Sequence, residues 1–408
     1  MLSLLDTLLT MAGLLVLVPA GYLGFLTVLS GRLRPPPAAQ KKWRFDIIVP
    51  AHNEAAGITR TVKNLLALEW PKDDLRVLVV ADNCQDDTAA LARAAGAIAL
   101  ERHSDTHKGK GYALDFAFKQ SLADARADAV VVVDADTVVS PNLLAAFAAR
   151  LEQGARAAQA HYSVLEENAS WRTRLMRVAF EIFHGVRSLG RERLGVSCGL
   201  RGNGMCFSKE TIAAIPHDAF SVVEDVEYGI RLGRAGIPVR YVHEARVLGE
   251  MVAAEQASRS QRTRWAGGRL GLMKKYGLPL VVESIQKLSF TLFDLAMDVL
   301  IPPLTWVVVA AGGGFAFTQA LVFFTDAHWA AEAPFFVSCL CLLAYVFRGW
   351  MLSGTGVQGL LDLAWAPVYM VWKMALMVRG NSRPTDWVRT ARAGEAPEAA
   401  APKTGEPK

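Results

Sequence analysis

The sequence lacks the marks of several common protein classes. Its five cysteines, Cys84, Cys198, Cys206, Cys339 and Cys341, form no CxxC pair and follow no regular spacing. Neither a disulfide framework nor a zinc site is suggested, and reduced thiols suit a cytoplasmic domain. No GxGxxG follows the first strand-like run, which argues against a dinucleotide-binding fold. The basic segment His107-Lys108-Gly109-Lys110-Gly111 is no P-loop, because Gly stands after Lys110 where Ser or Thr is required and the spaced upstream Gly is missing. An excess of one charge is lacking too: 44 Lys and Arg against 39 Asp and Glu leave +5. That suits an anionic membrane surface or a phosphate ligand but is too weak and scattered for nucleic acid.

Apolar residues are abundant instead. They make up 52% of the chain, with a mean hydropathy of +0.23, so membrane spans are sought first. Residues 8–30 run without a charge, long enough to cross a bilayer, for which about 20 apolar residues suffice. A signal peptide would begin with basic residues, and residues 1–7 hold none. Arg32, Arg34, Lys41, Lys42 and Arg44 follow the run, so the positive-inside rule places the N-terminus outside and the next domain in the cytoplasm. Pro35-Pro36-Pro37 reads as a short stiff linker. Apolar runs return at 299–325 and 334–352, and the loop DAHWAAEA between them, free of Lys and Arg, is expected outside. A third stretch, 357–378, carries Asp362 and Lys373 and is broken by Pro367, which reads as re-entrant or interfacial. Arg379, Arg383, Arg389 and Arg392 put the tail in the cytoplasm. The expected division is an N-terminal span and linker (1–44), a catalytic domain (45–287), a C-terminal membrane region (288–380) and a partly disordered tail (381–408).

Between the apolar ends, FDIIVP (45–50), LRVLVVAD (75–82) and AVVVVDAD (129–136) read as buried strands. Helices are expected over 55–68, 86–95, 110–125 and 141–153. Such alternation predicts an α/β domain with a mainly parallel sheet. The chemistry-bearing residues cluster at strand ends, where open α/β sheets bind ligands. Asp134-Ala135-Asp136 offers two carboxylates that can hold a hard divalent cation beside a diphosphate, or form a solvated turn. Pro50 is expected to end the first strand. After it, Asn53 and Glu54 can reach a nucleotide's ribose or base, or Asn53 can cap the next helix. Asp82 can accept from a base N–H, while Asp86 and Asp87 suit a helix N-terminus. The segment around Lys110 can approach a pyrophosphate closely. Glu224 and Asp225 precede a helical run and offer a base for an acceptor hydroxyl, or only surface charge. In Gln261-Arg262-Thr263-Arg264-Trp265, Gln261 and Arg264 share a helix face. Arg264 can neutralise a leaving diphosphate and Trp265 can stack on a sugar, or the pair can anchor at a membrane interface.

Taken in order, D…DxD…ED…QxxRW resembles the family 2 processive-type glycosyltransferases: cellulose, chitin, hyaluronan and poly-N-acetylglucosamine synthases and smaller bacterial relatives. The resemblance covers residues 45–270, and flanking membrane segments match. It implies a GT-A nucleotide-sugar-binding domain between transmembrane helices, in a multi-pass protein of the plasma (inner) membrane with a cytoplasmic catalytic domain. It further implies an inverting transfer with Mg²⁺ or Mn²⁺ from a UDP-sugar to a glycan or lipid acceptor, in contact with membrane lipids and with secretion subunits as potential partners. Under it Asp82, with Glu54 beside it, contacts uracil, Lys110 lies near the donor, Asp134 meets the nucleotide, Asp136 ligates the metal and Asp225 is the base. Gln261, Arg264 and Trp265 hold the diphosphate and the acceptor end, and Gly202-Asn203-Gly204 belongs to an acceptor loop. Two departures stand out: Val223 precedes Glu224-Asp225 where the best-known members carry Thr, and the membrane region is short for a channel-forming synthase. A polysaccharide synthase, a single-transfer glycolipid enzyme and a catalytically silent scaffold of a secretion complex are the three expectations, and no nucleic-acid partner is among them.

Overall fold

The computed structural model describes residues 4–165, 170–250, 255–324, 329–368 and 370, with backbone alone for 255–266 and 329. The chain opens with helix α1 (Leu4–Leu29) and then alternates: β1 (Phe45–Ala51), α2 (Ile58–Leu66), β2 (Leu75–Asp82), α3 (Thr88–Ala94), β3 (Ile98–Arg102), α4 (Lys110–Asp124) and β4 (Ala129–Val132). After a short β5 (Thr137–Val139) come α5 (Leu143–Glu152), β6 (Ala157–Leu165) and α6 (Trp171–Phe180). A π-helical turn (Glu181–Val186) carries α6 into α7 (Arg187–Arg193), and β7 (Met205–Ser208), α8 (Lys209–Ala214), α9 (Glu224–Arg234) and β8 (Val239–Glu250) complete the sheet region. The eight strands form one sheet in the order β3-β2-β1-β4-β7-β6-β8-β5.

The expectation of a mainly parallel sheet holds for the β3-β2-β1-β4 half. In the other half β7 runs antiparallel to β4 and to β6, and β5 antiparallel to β8, so the sheet is mixed. Alternation along the strands sorts the core into two layers. Ile47, Val49, Val77, Val79 and Val131 pack on α2 and α5, whereas Ile48, Leu78, Val80, Val130 and Val132 pack on α4 and α9. Burial on both faces is why these strands read as unbroken aliphatic runs.

Two strand ends differ from expectation. Pro50 does not stop β1, which continues to Ala51 with Pro50 opposite Val80. The β4 ladder has already ended at Ile48–Val132, so on that side the missing proline N–H deprives no partner. Conversely β4 stops at Val132, and residues 134–136 form a turn that leads into β5.

Beyond the sheet, α10 (Glu255–Gln286) and α11 (Phe290–Leu300) pack together on α9 through Ile230, Leu272, Tyr276 and Leu295. Helices α12 (Leu304–Phe324) and α13 (Ala333–Ser353) then pack with α1. These three are long and apolar enough to cross a membrane. Close approach is allowed by small residues: a Cβ at Gly13 would meet Pro334 at 2.9 Å, and one at Gly24 would meet Cys341 at 2.9 Å. The stretch expected to be re-entrant begins with a short helix, α14 (Gly356–Asp362), whose Asp362 pairs with Arg174 of α6 at 2.5 Å. Residues 369 and 371–408, which include the end of that stretch and the tail, lie outside the described residues. The linker after α1 is pinned to the domain, with Trp70 Nε1 donating to the Trp43 carbonyl at 3.0 Å and Lys41 lying 4.0 Å from the Trp43 ring centre.

Candidate active site

The parallel strands β1, β2 and β4 all deliver their C-terminal ends to one edge of the sheet. From β4, Asp134-Ala135-Asp136 is a turn held on three sides. Val133 N–H donates to the Ile48 carbonyl, Thr61 Oγ1 to the Ala135 carbonyl at 2.7 Å, and Asp134 N–H to Asn203 Oδ1 at 3.1 Å. Asn203 is 1% exposed, and its other amide group donates to Thr137 Oγ1 at 2.8 Å. Its side chain therefore braces the turn. The flanking Gly202 and Gly204 adopt φ of 78° and 70°, which L side chains rarely reach.

Lys110 joins these pieces. Gly109, at φ 117°, opens α4 and leaves Lys110 as its first residue. Lys110 Nζ lies 2.5 Å from Asp134 Oδ1 and donates to the Gly202 carbonyl at 2.6 Å. The second acidic pair begins α9, and a Cβ at Gly202 would lie 3.4 Å from Asp225 Oδ2 and 3.7 Å from Lys110 Nζ. One small volume thus holds Asp134, Lys110, Gly202 and Asp225, drawn from four separate segments. Burial pushes the Glu224 carboxyl up to about 8, against the pull of Lys110, and burial also raises Asp225. For Lys110 burial acts downward, yet the charges of Asp134, Glu224 and Asp225 outweigh it and raise the ammonium's pKa. A carboxylate held close to neutrality beside a lasting cation suits proton transfer near pH 7.

At the β1 and β2 ends, Asn53 and Asn83 both take positive φ, 55° and 52°. Asn53 is not the helix cap that the sequence allowed. Gly57 occupies that position, and Asn53 Oδ1 accepts instead from the Gln85 N–H at 2.8 Å. Asp86 Oδ2 accepts from the Ala55 N–H at 3.1 Å, so the loops after β1 and β2 are stitched together. Glu54 stands in the same stitch, its N–H donating to Thr88 Oγ1 at 2.8 Å. Asp82 is 3% exposed and bonded to Arg102 of β3 at 2.5 Å, with His52 Nδ1 2.7 Å from its carbonyl. Arg102 also faces the Tyr112 ring, which stacks on Phe220 at 4.1 Å.

Gln261, Arg264 and Trp265 lie within α10, and their side chains are outside the described residues. The helix itself is fixed close by: a Cβ at Gly268 would meet Val223, the residue before Glu224, at 2.9 Å. Lys275 and Tyr276 of α10 donate to Glu227 of α9 at 2.7 and 2.6 Å.

Sequence reasoning missed Arg102 and Tyr162. Burial, then the charges of Asp134 and Asp136, raise the Tyr162 phenol. Arg102 ends β3 in register with Asp82, a signal that needed β3 to be recognised first. As a metal site, Asp134 and Asp136 supply two oxygen donors, and no group of three or more His, Cys, Asp or Glu is arranged around a metal among the described residues. Carboxylate oxygens are the donor type that suits Mg²⁺ or Mn²⁺, which keep ligand positions for phosphate oxygens and water.

A mixed sheet of this kind, with carboxylate-bearing loops on the parallel strand ends, is a fold of the GT-A type. The chain belongs to the glycosyltransferase-like family 2, whose pattern matches residues 43–268. It is 25% identical over 271 residues to the probable glycosyltransferase YdaM of Bacillus subtilis, covering 62% of this chain and 63% of that one. It is 24% identical over 270 residues to the UDP-forming cellulose synthase 1 catalytic subunit of Komagataeibacter xylinus (62% and 35% covered). A beta-monoglucosyldiacylglycerol synthase of Nostoc is 27% identical over 232 residues (55% and 48% covered). The chain thus matches less than two thirds of each relative's length. In fold it is similar to the mannosyltransferase PcManGT of Pyrobaculum calidifontis, solved with GDP-Man and Mn²⁺, with a TM-score of 0.55, 18% identity, and 88% and 98% of the chains covered.

Proposed function

We propose that this chain is an inverting hexosyltransferase that moves a sugar from a UDP-sugar to a glycan or lipid-linked acceptor at the inner face of the plasma membrane. The observation that carries the reading is the meeting of Asp134, Lys110, Gly202 and Asp225 at the end of the parallel strands. Asp134 and Asp136 are the residues to hold Mg²⁺ or Mn²⁺, whose bound charge would offset that of the departing diphosphate. Asp225 takes the proton of the acceptor hydroxyl as its oxygen attacks the anomeric carbon from the face opposite the leaving group. Lys110 keeps Asp134 in place and fixes the Gly202 carbonyl beside the base. Arg264 serves the diphosphate, Trp265 the acceptor sugar, and Asp82 with Glu54 the base and ribose. UDP as the nucleotide is favoured by the family's cellulose synthase relatives, which are named as UDP-forming.

A single transfer that makes a glycolipid is the second reading. It is favoured by the acceptor-side loop, whose Arg201 lies within the ion-pair cluster of Asp298 on α11, close to α1. The test uses the purified chain in nanodiscs with Mg²⁺ or Mn²⁺ and a panel of nucleotide sugars, with and without membrane lipid extract. Release of nucleoside diphosphate from one donor, lost with chelator and in Asp136→Ala, is expected. Product size then separates polymer from glycolipid. No release from any donor, even after the native membrane fraction is added, would remove the transferase reading and leave the scaffold.

A further inference from the structure

Strand β6 buries a polar side chain in an alanine run. Ala157, Ala158 and Ala160 are fully buried, and Gln159 among them is 1% exposed. A buried amide is destabilising unless its hydrogen bonds are made. Those of Gln159 are made almost wholly by the backbone of residues 201–204. Its Oε1 accepts from the Arg201 N–H at 2.8 Å. Its Nε2 donates to the carbonyls of Asn203 at 2.7 Å, Ala160 at 2.9 Å and Gly204 at 3.3 Å. The amide can stand only this way round, because reversed its oxygen would face three carbonyls.

Topology explains why a side chain is needed there. β6 pairs with β7 only from Ala157 to Gln159, where Gln159 stands opposite Met205. Ahead of Met205 the chain leaves the ladder through glycines at positive φ, Gly199, Gly202 and Gly204. Buried peptide groups in such a loop still require partners. A glutamine side chain carries both halves of a peptide group, a carbonyl and an N–H, and so stands in for the missing strand. Beside it the register of β6 on β8 shifts between Ala160 and His161, and the Ala160 N–H donates to the Gly204 carbonyl at 2.8 Å.

The loop held in this way touches each part of the catalytic centre. The Gly202 carbonyl accepts from Lys110, the Gly202 backbone faces Asp225, and the Asn203 side chain accepts from the Asp134 N–H. The 134–136 turn has two further holds that bypass the loop, Val133 to the Ile48 carbonyl and Thr61 to the Ala135 carbonyl. Loosening the loop should therefore disturb the side of Asp225 more than the donor side. We propose that Gln159 is a positioning residue for the transfer step: it fixes the 201–204 loop, and through it the spacing between the Asp134 turn and Asp225, from a place where it meets neither substrate. This rests on the transferase reading and adds to it a residue outside the loops that carry the chemistry.

Two variants of the full chain in nanodiscs test it. Gln159→Met keeps the length of the side chain and removes both hydrogen-bonding halves, whereas Gln159→Glu keeps the acceptor for Arg201 and removes the donors. With the donor that the unaltered chain cleaves, both should lower kcat roughly 10- to 100-fold, the worth of one or two loop hydrogen bonds. Donor KM and UDP affinity should stay within about threefold, a split that general unfolding would not give. Amide exchange should quicken over 199–205 and stay unchanged in β1 and β2. Near-normal kcat in a folded variant overturns the proposal. So does a loss of UDP affinity in proportion to kcat, which would make Gln159 a residue of the whole fold, and so does loss of the melting transition in both variants. Failure of the transferase reading looks different: the unaltered chain then cleaves no donor, and the role of Gln159 falls with it.

Discussion

Asp225 sits where function and stability pull in opposite directions. Burial raises its carboxyl, so at neutral pH the folded chain holds the charged form at a cost. A group with a raised folded pKa gives stability that is present below its unfolded value and lost as pH rises through the folded one. Asp225→Asn keeps the shape and removes that cost. We expect its melting temperature at pH 7.5 to equal or exceed that of the unaltered chain, with UDP affinity retained, while turnover falls by about 10²–10⁴. Near-normal turnover would take the base role away from Asp225. His217 works with the other sign. It packs against Phe118 and Tyr228, its Nδ1 has no partner, and burial pushes its pKa down to about 4. Stability from a lowered pKa is complete above the ordinary value of about 6.5 and drains away as pH falls towards 4, about 2 kcal/mol by pH 5. His217→Phe should therefore lose less melting temperature than the unaltered chain between pH 7.5 and 5. An equal loss in both would put the acid sensitivity elsewhere.

Helices and strands show which parts of this fold could be read in advance. β1 and β2 were legible because both faces are buried, which leaves an aliphatic run bounded by polar turns. The helices at 58–66, 88–94, 110–124 and 143–152 fall inside the expected windows. β6 and β8 were not legible: Ala157–Leu165 carries Gln159, His161 and Ser163, and Val239–Glu250 carries two Arg, a His and two Glu. Only pairing with distant strands makes them a sheet. The site divides the same way. Carboxylates at strand ends announce themselves, but the meeting of Lys110 with the Gly202 carbonyl depends on a glycine turn that no spacing reveals. That turn gives an element-scale prediction. At Gly204, φ is 70° and a Cβ would meet Val247 Cγ2 at 2.6 Å, whereas at Gly236, φ 72°, a Cβ meets nothing within 4 Å. Gly236→Ala should cost about 1 kcal/mol of backbone strain. Gly204→Ala adds overpacking and should cost about 2–4 kcal/mol, with transfer lost before donor binding. Thermal melting compared with UDP titration checks both; equal costs at the two sites would show that the loop yields freely to a side chain.

At the scale of the whole molecule, the question is how a sheet domain stays aligned with helices suited to lipid. The polar end of α1 is gripped from two directions. Arg193 of α7 donates to the carbonyls of Leu29, Gly31 and Arg32 at 2.8, 3.0 and 3.2 Å, and Arg348 of α13 donates to the Ser30 hydroxyl and carbonyl at 3.0 and 2.7 Å. Arg193 takes up the Leu29 carbonyl that the helix end leaves unpaired, and both arginines hold the chain just beyond it, so the grip fixes α1 to α7 and α13 at once. Both grips lie on the domain side of the three apolar helices, where the linker's basic residues also collect. Given the proposed membrane reading, that end is the cytoplasmic one, and the turn before α13 emerges on the opposite side. A membrane-impermeant maleimide applied to intact cells, with native cysteines replaced, should therefore label a cysteine at Glu332 and spare one at Lys119, whose side chain is 71% exposed on the domain. Labelling of both only after the membrane is opened would place the α12–α13 turn inside. Labelling of Lys119 alone in intact cells would invert the topology, put the site on the side that lacks nucleotide sugars, and end the transferase reading on grounds of access alone.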